Sequence, residues 1–301
     1  TQKGNAFEKL SKIYFENDDV QKQLYKKVWY YKEWAKDNPT FSQTDIGIDL
    51  VAELKDGSFA AIQCKCYDSN HTISKEDIDS FISASSNNIF VRLILIDTSN
   101  NELGSNARKV VNNLNKKYLR IQKSELEASR IQWLTYLKED KIVLEDKKEL
   151  RDHQKKALNN AEIYFKDNDR GKMIMACGTG KTFTSLRITE KLTYKGKFVL
   201  YMVPSLALMS QSIREWKNDC LEEFEAFSAC SDKKVGKRKS ADDEIIVNLS
   251  DLSFPATTDP KKLAEEIKKT DNSKLTVIFS TYQSIDVVSK AQKEFGLRNF
   301  D

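Results

Sequence analysis

Met173-Ile-Met-Ala-Cys-Gly-Thr-Gly-Lys-Thr182 is the stretch on which the architecture of this 301-residue chain turns. An apolar run breaks at Gly178, and Phe183-Thr-Ser-Leu-Arg-Ile-Thr-Glu-Lys-Leu192 resumes with helical spacing. A buried strand, a glycine turn and a helix start, in that order, aim backbone N–H groups and the positive end of a helix dipole at one point, which suits a phosphate. Gly178, Thr179 and Gly180 supply the turn. Lys181 can reach β- and γ-phosphates, and the Thr182 hydroxyl can bind Mg²⁺. The full form of such a loop begins with Gly, where this chain has Met175. That departure lies ahead of the atoms that touch phosphate. The stretch predicts a nucleoside triphosphate site.

Outward from it, residues 151–301 alternate helix and strand, with strands expected at 172–177, 197–203, 244–249 and 274–280. The first half reads differently. Asn5–Asn17 and Val20–Trp34 are helical by spacing, with Phe7, Leu10 and Tyr14, then Leu24, Val28 and Tyr31, each on one face. Gly47–Leu54 and Ser58–Tyr67 are strand-like and joined by Lys55-Asp-Gly57, a tight hairpin turn. Ser74 with Asp77 three positions on opens a helix to about Ser85. Ile89–Ile96 is an apolar run expected to be a buried strand, and 102–137 reads as mostly helical. Residues 138–150 form a charged connector between domains at 1–137 and 151–301.

Composition bounds the partners. With 40% hydrophobic and 31% charged residues the chain is globular in character, and no apolar run approaches membrane-span length, so no membrane partner is expected. Five cysteines without metal-like spacing fit a reducing cytoplasm. Basic and acidic residues balance over 1–147, so the net +4 lies in 148–301. That is too small an excess to declare nucleic acid by itself. The run Asp232-Lys-Lys-Val-Gly-Lys-Arg-Lys239 is read as a solvated basic loop.

The hairpin carries a second chemistry. Asp49 is expected on its first strand and Gln63-Cys-Lys65 on its second. Alternation puts Gln63 and Lys65 on one face and Ile62, Cys64 and Cys66 on the other, burying the cysteines and arguing against a zinc site. A carboxylate, an amide oxygen and an ammonium across one hairpin suit phosphodiester hydrolysis. Such a reaction needs oxygen ligands for Mg²⁺ and a cation to handle water and transition-state charge. Thr44-Asp-Ile-Gly-Ile-Asp-Leu-Val51 followed by Ile62-Gln-Cys-Lys65 resembles the Mrr-type branch of the PD-(D/E)xK nucleases, as does the Gly4-Asn-Ala-Phe-Glu8 helix. The resemblance implies Asp49 as principal metal ligand, Gln63 as oxygen ligand, Lys65 as the water-activating residue and Glu8 near the metal. Asp45 is the rival acid.

The second half has its own relatives. Leu150-Arg-Asp-His-Gln-Lys-Lys-Ala-Leu158 resembles the adenine-recognition element of superfamily 2 helicases, which implies that Gln154 reads the base of ATP and Arg151 packs on its ring. Pro204-Ser205 and Ser280-Thr281, each at a strand end before a helix, resemble the strand-tracking motifs of those motors, with Ser205 and Thr281 against DNA phosphate. The chain stops at Asn299-Phe-Asp301, where that family continues into a DEAH-type Walker B strand and a second RecA-like lobe. A fragment ending there is expected not to hydrolyse ATP unaided.

Together the two halves resemble the N-terminal portion of the Type ISP restriction-modification enzymes. The implied fold is α/β, a restriction-endonuclease-like mixed sheet domain followed by a RecA-like parallel-sheet domain. The resemblance further implies Mg²⁺ and ATP as cofactors and double-stranded DNA as substrate. Methyltransferase and target-recognition regions would follow in the same polypeptide, the former using S-adenosylmethionine. Two other readings stay open: the restriction subunit of a multi-subunit Type I or Type III system, and a non-cleaving DNA-binding module on a repair or remodelling helicase.

Overall fold

The computed structural model describes residues 2–42, 44, 47–193, 196–230, 254–270 and 273–301. The chain forms two compact units, one running through Glu145 and one beginning at Asp146.

The first unit begins with α1 (Gln2–Asn17) and a single turn, α2 (Gln21–Leu24). Then follow β1 (Tyr25–Tyr30), α3 (Tyr31–Lys36), β2 (Leu50–Leu54) and β3 (Phe59–Lys65). The unit continues through α4 (Lys75–Ala84), β4 (Phe90–Asp97), α5 (Ser105–Asn112), β5 (Lys117–Gln122), α6 (Lys123–Glu127) and α7 (Trp133–Glu139). The strands lie in the order β1-β2-β3-β4-β5. β1–β2 and β2–β3 pair antiparallel, while β3–β4 and β4–β5 pair parallel, so the sheet is mixed. Alternation along β2 and β3 splits the core. Leu50, Ala52 and Ile62 pack with Phe7, Ile13 and Tyr14 of α1. Val51 and Ala61 pack on the opposite face with Ile78 and Phe81 of α4. The hairpin turn is as the sequence predicts, with Gly57 at φ +86°, a conformation that costs a side chain but not glycine. Ser74 and Asp77 form the expected reciprocal cap of α4.

Two expectations fail here. Val20–Trp34 is not one helix, because Tyr25–Tyr30 pairs antiparallel with β2, Tyr30 opposite Leu50. Its aromatic and β-branched residues suit the open edge of the hairpin, and an edge to pair with outweighs local helical spacing. Likewise 102–137 is interrupted by β5, which pairs with β4 and buries Leu119 and Ile121.

The second unit contains α8 (Asp152–Tyr164), α9 (Lys181–Leu192), β6 (Phe198–Val203), α10 (Leu206–Asp219) and β7 (Glu225–Ala229). It ends with β8 (Ala256–Thr257), α11 (Pro260–Lys268), β9 (Thr276–Thr281), a 3₁₀ turn (Tyr282–Ser284) and α12 (Ile285–Phe295). The sheet is parallel throughout, in the order β6-β9-β7-β8. Phe198, Ile278, Leu263, Val288 and Ala291 form its core. The strands expected at 197–203 and 274–280 are β6 and β9. The one expected at 172–177 is absent. That segment pairs with no strand, and Ile174 is 84% exposed. An apolar run becomes a strand only where its main chain joins a ladder, and apolar composition alone does not secure that. The strand expected at 244–249 and the basic run 232–239 lie outside the described residues. No helix among the described residues is long and apolar enough to cross a membrane.

Candidate active sites

The hairpin residues converge at the end of β3. Asp49 stands one residue ahead of β2, yet it is tied into the ladder: its N–H donates to the Ile62 carbonyl and its carbonyl accepts from Tyr31 N–H, both at 2.9 Å. Its carboxylate Oδ2 accepts the main-chain N–H of Cys64 at 2.6 Å. Cys64 lies between Gln63 and Lys65 in sequence, so the acid is anchored to the end of the strand that carries both. Gln63 is 2% exposed, and its Nε2 donates to the Gly47 carbonyl at 3.1 Å. That bond fixes the amide's orientation, because only the NH₂ end can donate to a carbonyl. The other end, Oε1, is buried with no hydrogen-bond partner among the described residues. A buried amide oxygen left bare costs about 1–3 kcal/mol. Gly47 itself sits at φ +91°, and a Cβ there would stand 3.0 Å from Ser80 Oγ and 3.2 Å from the Phe81 nitrogen. Only glycine lets this loop press against α4 and present its carbonyl to Gln63.

Lys65 shares the Gln63 face by alternation and is half-buried. Its ammonium makes no hydrogen bond or ion pair among the described residues. The Cys64 thiol reports the charges around it. Burial pushes it well above its usual value, and the carboxylates of Asp49 and then Glu8 push it further against a hydrogen bond from Ser11. Glu8 is therefore within electrostatic reach of the Asp49 anchor. Asp45 lies outside the described residues. Cys66 is exposed and Cys64 partly buried, so the expected burial of both cysteines is corrected. Strand alternation weakens once β3 ends at Lys65. Among the described residues no three His, Cys, Asp or Glu side chains converge as a metal cluster. The donor set is one carboxylate and one amide oxygen, hard ligands suited to Mg²⁺ rather than zinc. Sequence reasoning missed Gly47 and the Cys64 N–H. The first had a signal in its glycine; the second, a main-chain group, had none.

The glycine turn and the helix start form as expected, without the strand expected ahead of them. Gly178 and Gly180 have φ of +74° and +79°, and Gly180 caps α9, whose first turn holds Lys181 and Thr182. Lys181 Nζ lies 3.0 Å from the Ala176 carbonyl and 3.4 Å from that of Met175, so it donates to its own loop. The Thr182 hydroxyl makes no hydrogen bond among the described residues. Gln154 is 4% exposed and spends both ends of its amide. Oε1 accepts from Arg151 N–H at 2.9 Å, and Nε2 donates to the Thr179 carbonyl at 3.1 Å. His153 Nε2 meets that same carbonyl at 3.1 Å. In this conformation Gln154 is a strut under the loop, and Arg151 is exposed.

Ser205 caps α10 through its hydroxyl, which accepts from Leu208 N–H at 3.3 Å. Thr281 is 3% exposed, its hydroxyl 2.7 Å from that of Ser284. Its neighbour Tyr282 is 56% exposed. The strand end offers surface, but through Tyr282 rather than the Thr281 hydroxyl.

Comparisons with known proteins fall on the same two units. Residues 147–301 match the family described as Type III restriction enzyme, res subunit. Residues 16–143 match a family described as restriction endonuclease. Among solved structures, the ATP-dependent Type ISP restriction-modification enzyme LlaBIII bound to DNA aligns with all of this chain at 36% identity and a TM-score of 0.81. The chain spans 19% of that enzyme's length. A nuclease-deletion mutant of the Type ISP enzyme LlaGI, in complex with a DNA substrate mimic, aligns with 51% of this chain and 14% of its own at 42% identity and a TM-score of 0.42. No curated protein sequence matches the chain.

Proposed function

This chain belongs to the Type III restriction enzyme res-subunit family, carries a restriction endonuclease domain ahead of it, and has the fold of a Type ISP enzyme's nuclease and helicase lobe. From that premise we propose that it is part of an ATP-dependent DNA restriction enzyme in which Mg²⁺-dependent cleavage is coupled to a double-stranded DNA translocase. The reading extends to methyltransferase and target-recognition regions in the same polypeptide, with S-adenosylmethionine as their cofactor, working in a bacterial cytoplasm. The domains of such families require a divalent metal and ATP in general. Mg²⁺ and the residues below are our assignment.

The observation that carries the nuclease reading is the bare, buried Oε1 of Gln63 beside a carboxylate anchored by the Cys64 N–H. Asp49 and Gln63 hold the metal, with Glu8 and Asp45 as further acids. Bound there, the ion would polarise the phosphodiester and lower the pKa of a water. Lys65 orients that water or takes its proton, and its charge offsets the anionic transition state. A merely solvated hairpin does not account for a buried amide oxygen without a donor.

In the second unit, Gly178, Thr179 and Gly180 wrap the phosphates through main-chain N–H groups. Lys181 leaves the Ala176 carbonyl for phosphate oxygens, and Thr182 offers its hydroxyl to Mg²⁺. Gln154 reads adenine only by exchanging its present bonds to Arg151 and Thr179, with Arg151 beside the ring. Ser205 and Thr281 remain the strand-end positions assigned to DNA, Thr281 acting through the turn it holds with Ser284.

The test is Asp49→Ala and Lys65→Ala in the intact enzyme, assayed for Mg²⁺-dependent nicking of duplex DNA. Loss of about 10²-fold or more in each, with ATP-driven movement retained, is expected for residues that handle transition-state charge. Undiminished nicking in both would overturn the assignment.

A further inference from the structure

Two residues beyond Lys65 lies a polar cluster that the centre described above does not use. The chain continues past β3 to Tyr67, whose main-chain N–H donates to the Thr98 hydroxyl at 2.8 Å and whose carbonyl accepts from it at 2.6 Å. Tyr67 packs against the core layer of α4, the face that carries Gln63. Its hydroxyl donates to Asp77 Oδ1 at 2.8 Å. His71 Nε2 stands 3.0 Å from Asp77 Oδ2, and the Tyr67 and His71 rings are tilted against each other, centroids 4.0 Å apart at 31°.

Asp77 is thus committed on both oxygens, since Oδ2 also accepts Ser74 N–H at 2.8 Å. Burial pushes its carboxyl up, but bonds from Ser74, Tyr67 and His71 outweigh that and bring it down to about 2. An ionised carboxylate only accepts, so His71 Nε2 carries the proton. The remaining ring nitrogen, Nδ1, makes no hydrogen bond among the described residues, and the side chain is 36% exposed.

The loop holding His71 is stitched to the loop after β4. His71 N–H donates to the Asp68 carbonyl at 2.9 Å, Asn100 N–H to Ser69 at 2.8 Å and Gly104 N–H to Ile73 at 2.9 Å. The Asn101 amide donates to the Asn70 carbonyl at 2.7 Å and to the Thr72 hydroxyl at 3.0 Å. The carbonyl of Asn101 is in turn held by Arg120 at 2.9 Å. The ring is only partly exposed and is held in one orientation, yet neither core layer includes it, so its free nitrogen is presented to a ligand in a fixed direction.

We propose that His71 is a DNA-backbone contact of the nuclease centre, its Nδ1 meeting a phosphate of the strand engaged by Asp49, Gln63 and Lys65. Two residues of extended chain carry Lys65 to Tyr67 over roughly 7 Å, and the His71 ring packs on the Tyr67 ring, centroids 4.0 Å apart. One strand of a duplex rises about 3.4 Å per nucleotide, so a strand held at Lys65 passes the Tyr67–His71 pair within a few nucleotides. With Asp77 behind the ring and phosphate in front, a protonated imidazole donates from both nitrogens, and each bond is charge-assisted. The inference rests on the nuclease reading above.

The test uses the intact enzyme carrying His71→Ala, His71→Gln or His71→Arg, with Mg²⁺-dependent nicking and ATP-driven translocation measured on the same DNA. Gln keeps a bond to Asp77 without the charge, so it carries the test should Ala unfold. Nicking by the Ala and Gln variants should fall about 10- to 100-fold, the worth of a charged hydrogen bond. Arg should recover most of that loss, while the half-saturating Mg²⁺ concentration and translocation stay at wild-type values. Wild-type nicking by His71→Ala would overturn the proposal. So would an Arg variant as defective as Ala, or a raised Mg²⁺ requirement, which would make His71 a prop for the metal ligands. Failure of the underlying reading shows separately, as undiminished nicking by Asp49→Ala and Lys65→Ala.

Discussion

Replacing Gln63 with Glu probes the proposed metal centre through stability rather than activity. In the wild type, Nε2 donates to the Gly47 carbonyl and Oε1 is bare. Glu has no donor to offer, so the Gly47 bond is lost and a carboxylate oxygen faces a carbonyl in a site 2% exposed. Losing the bond costs about 1 kcal/mol, and a buried charge without a donor about 2 more, so roughly 3 kcal/mol in all. For a unit of this size that lowers its melting temperature by about 6–12 °C. Mg²⁺ reverses the balance, because a carboxylate binds it more tightly than an amide. At a hundredfold excess over Kd, binding adds about 2.7 kcal/mol, and a tighter site adds more at the same concentration. Calorimetry of the 301-residue chain in EDTA and in Mg²⁺ reads both effects. Q63E should melt well below wild type in EDTA and gain more from Mg²⁺. Equal stability in EDTA, or equal Mg²⁺ gains in the two proteins, would show that Oε1 does not face a cation site.

Three more outcomes follow from the coordinates. Lys217 is 3% exposed, donates to the Phe224 carbonyl and sits 3.9 Å over that ring, and burial brings it down from 10.5 to about 8. Between those values only the unfolded chain still binds the proton, so stability rises with pH across about 8 to 10.5, by roughly 3 kcal/mol. Lys217→Met should flatten that rise in denaturant titrations, and a wild-type curve no steeper than the variant's would refute the cause given. Arg120→Met leaves Asp97, 0% exposed, without the guanidinium that holds both its oxygens, and should cost about 3–5 kcal/mol. Adding Asp97→Asn should return part of that loss in thermal melts; a double variant worse than the single would contradict it. Lys181→Ala should abolish ATP-driven translocation by the intact enzyme, and persistent movement on DNA would refute the motor assignment.

How much was legible beforehand depended on the range of the forces involved. The glycine loop was readable because Gly178 and Gly180 meet a local need, positive φ, that few other residues satisfy. The cap of α4 and the turn at Gly57 were readable for the same reason. β1 and β5 were not, since each becomes a strand only because β2 or β4 offers an edge. The 172–177 segment failed in the opposite sense: apolar and strand-like by composition, it pairs with no edge. Gln154 shows the same limit at a side chain. Its position in the helix was legible, but its bonds to Arg151 and Thr179 depend on where the loop folds back.

By itself, then, the order of residues determined the two-part α/β plan, the loop that bends at Gly178 and Gly180, and the hairpin that carries Asp49 on one arm and Gln63 and Lys65 on the other. Each follows from spacing within a few residues. Only the folded chain decided that Cys64 N–H anchors Asp49, that Gln63 is buried with one oxygen bare, that Thr281 is covered while Tyr282 is exposed, and that Asp77 holds His71 beside Tyr67. The Asp49 and Gln63 contacts join segments whose approach is set by burying two core layers against one sheet, and no local pattern encodes that distance.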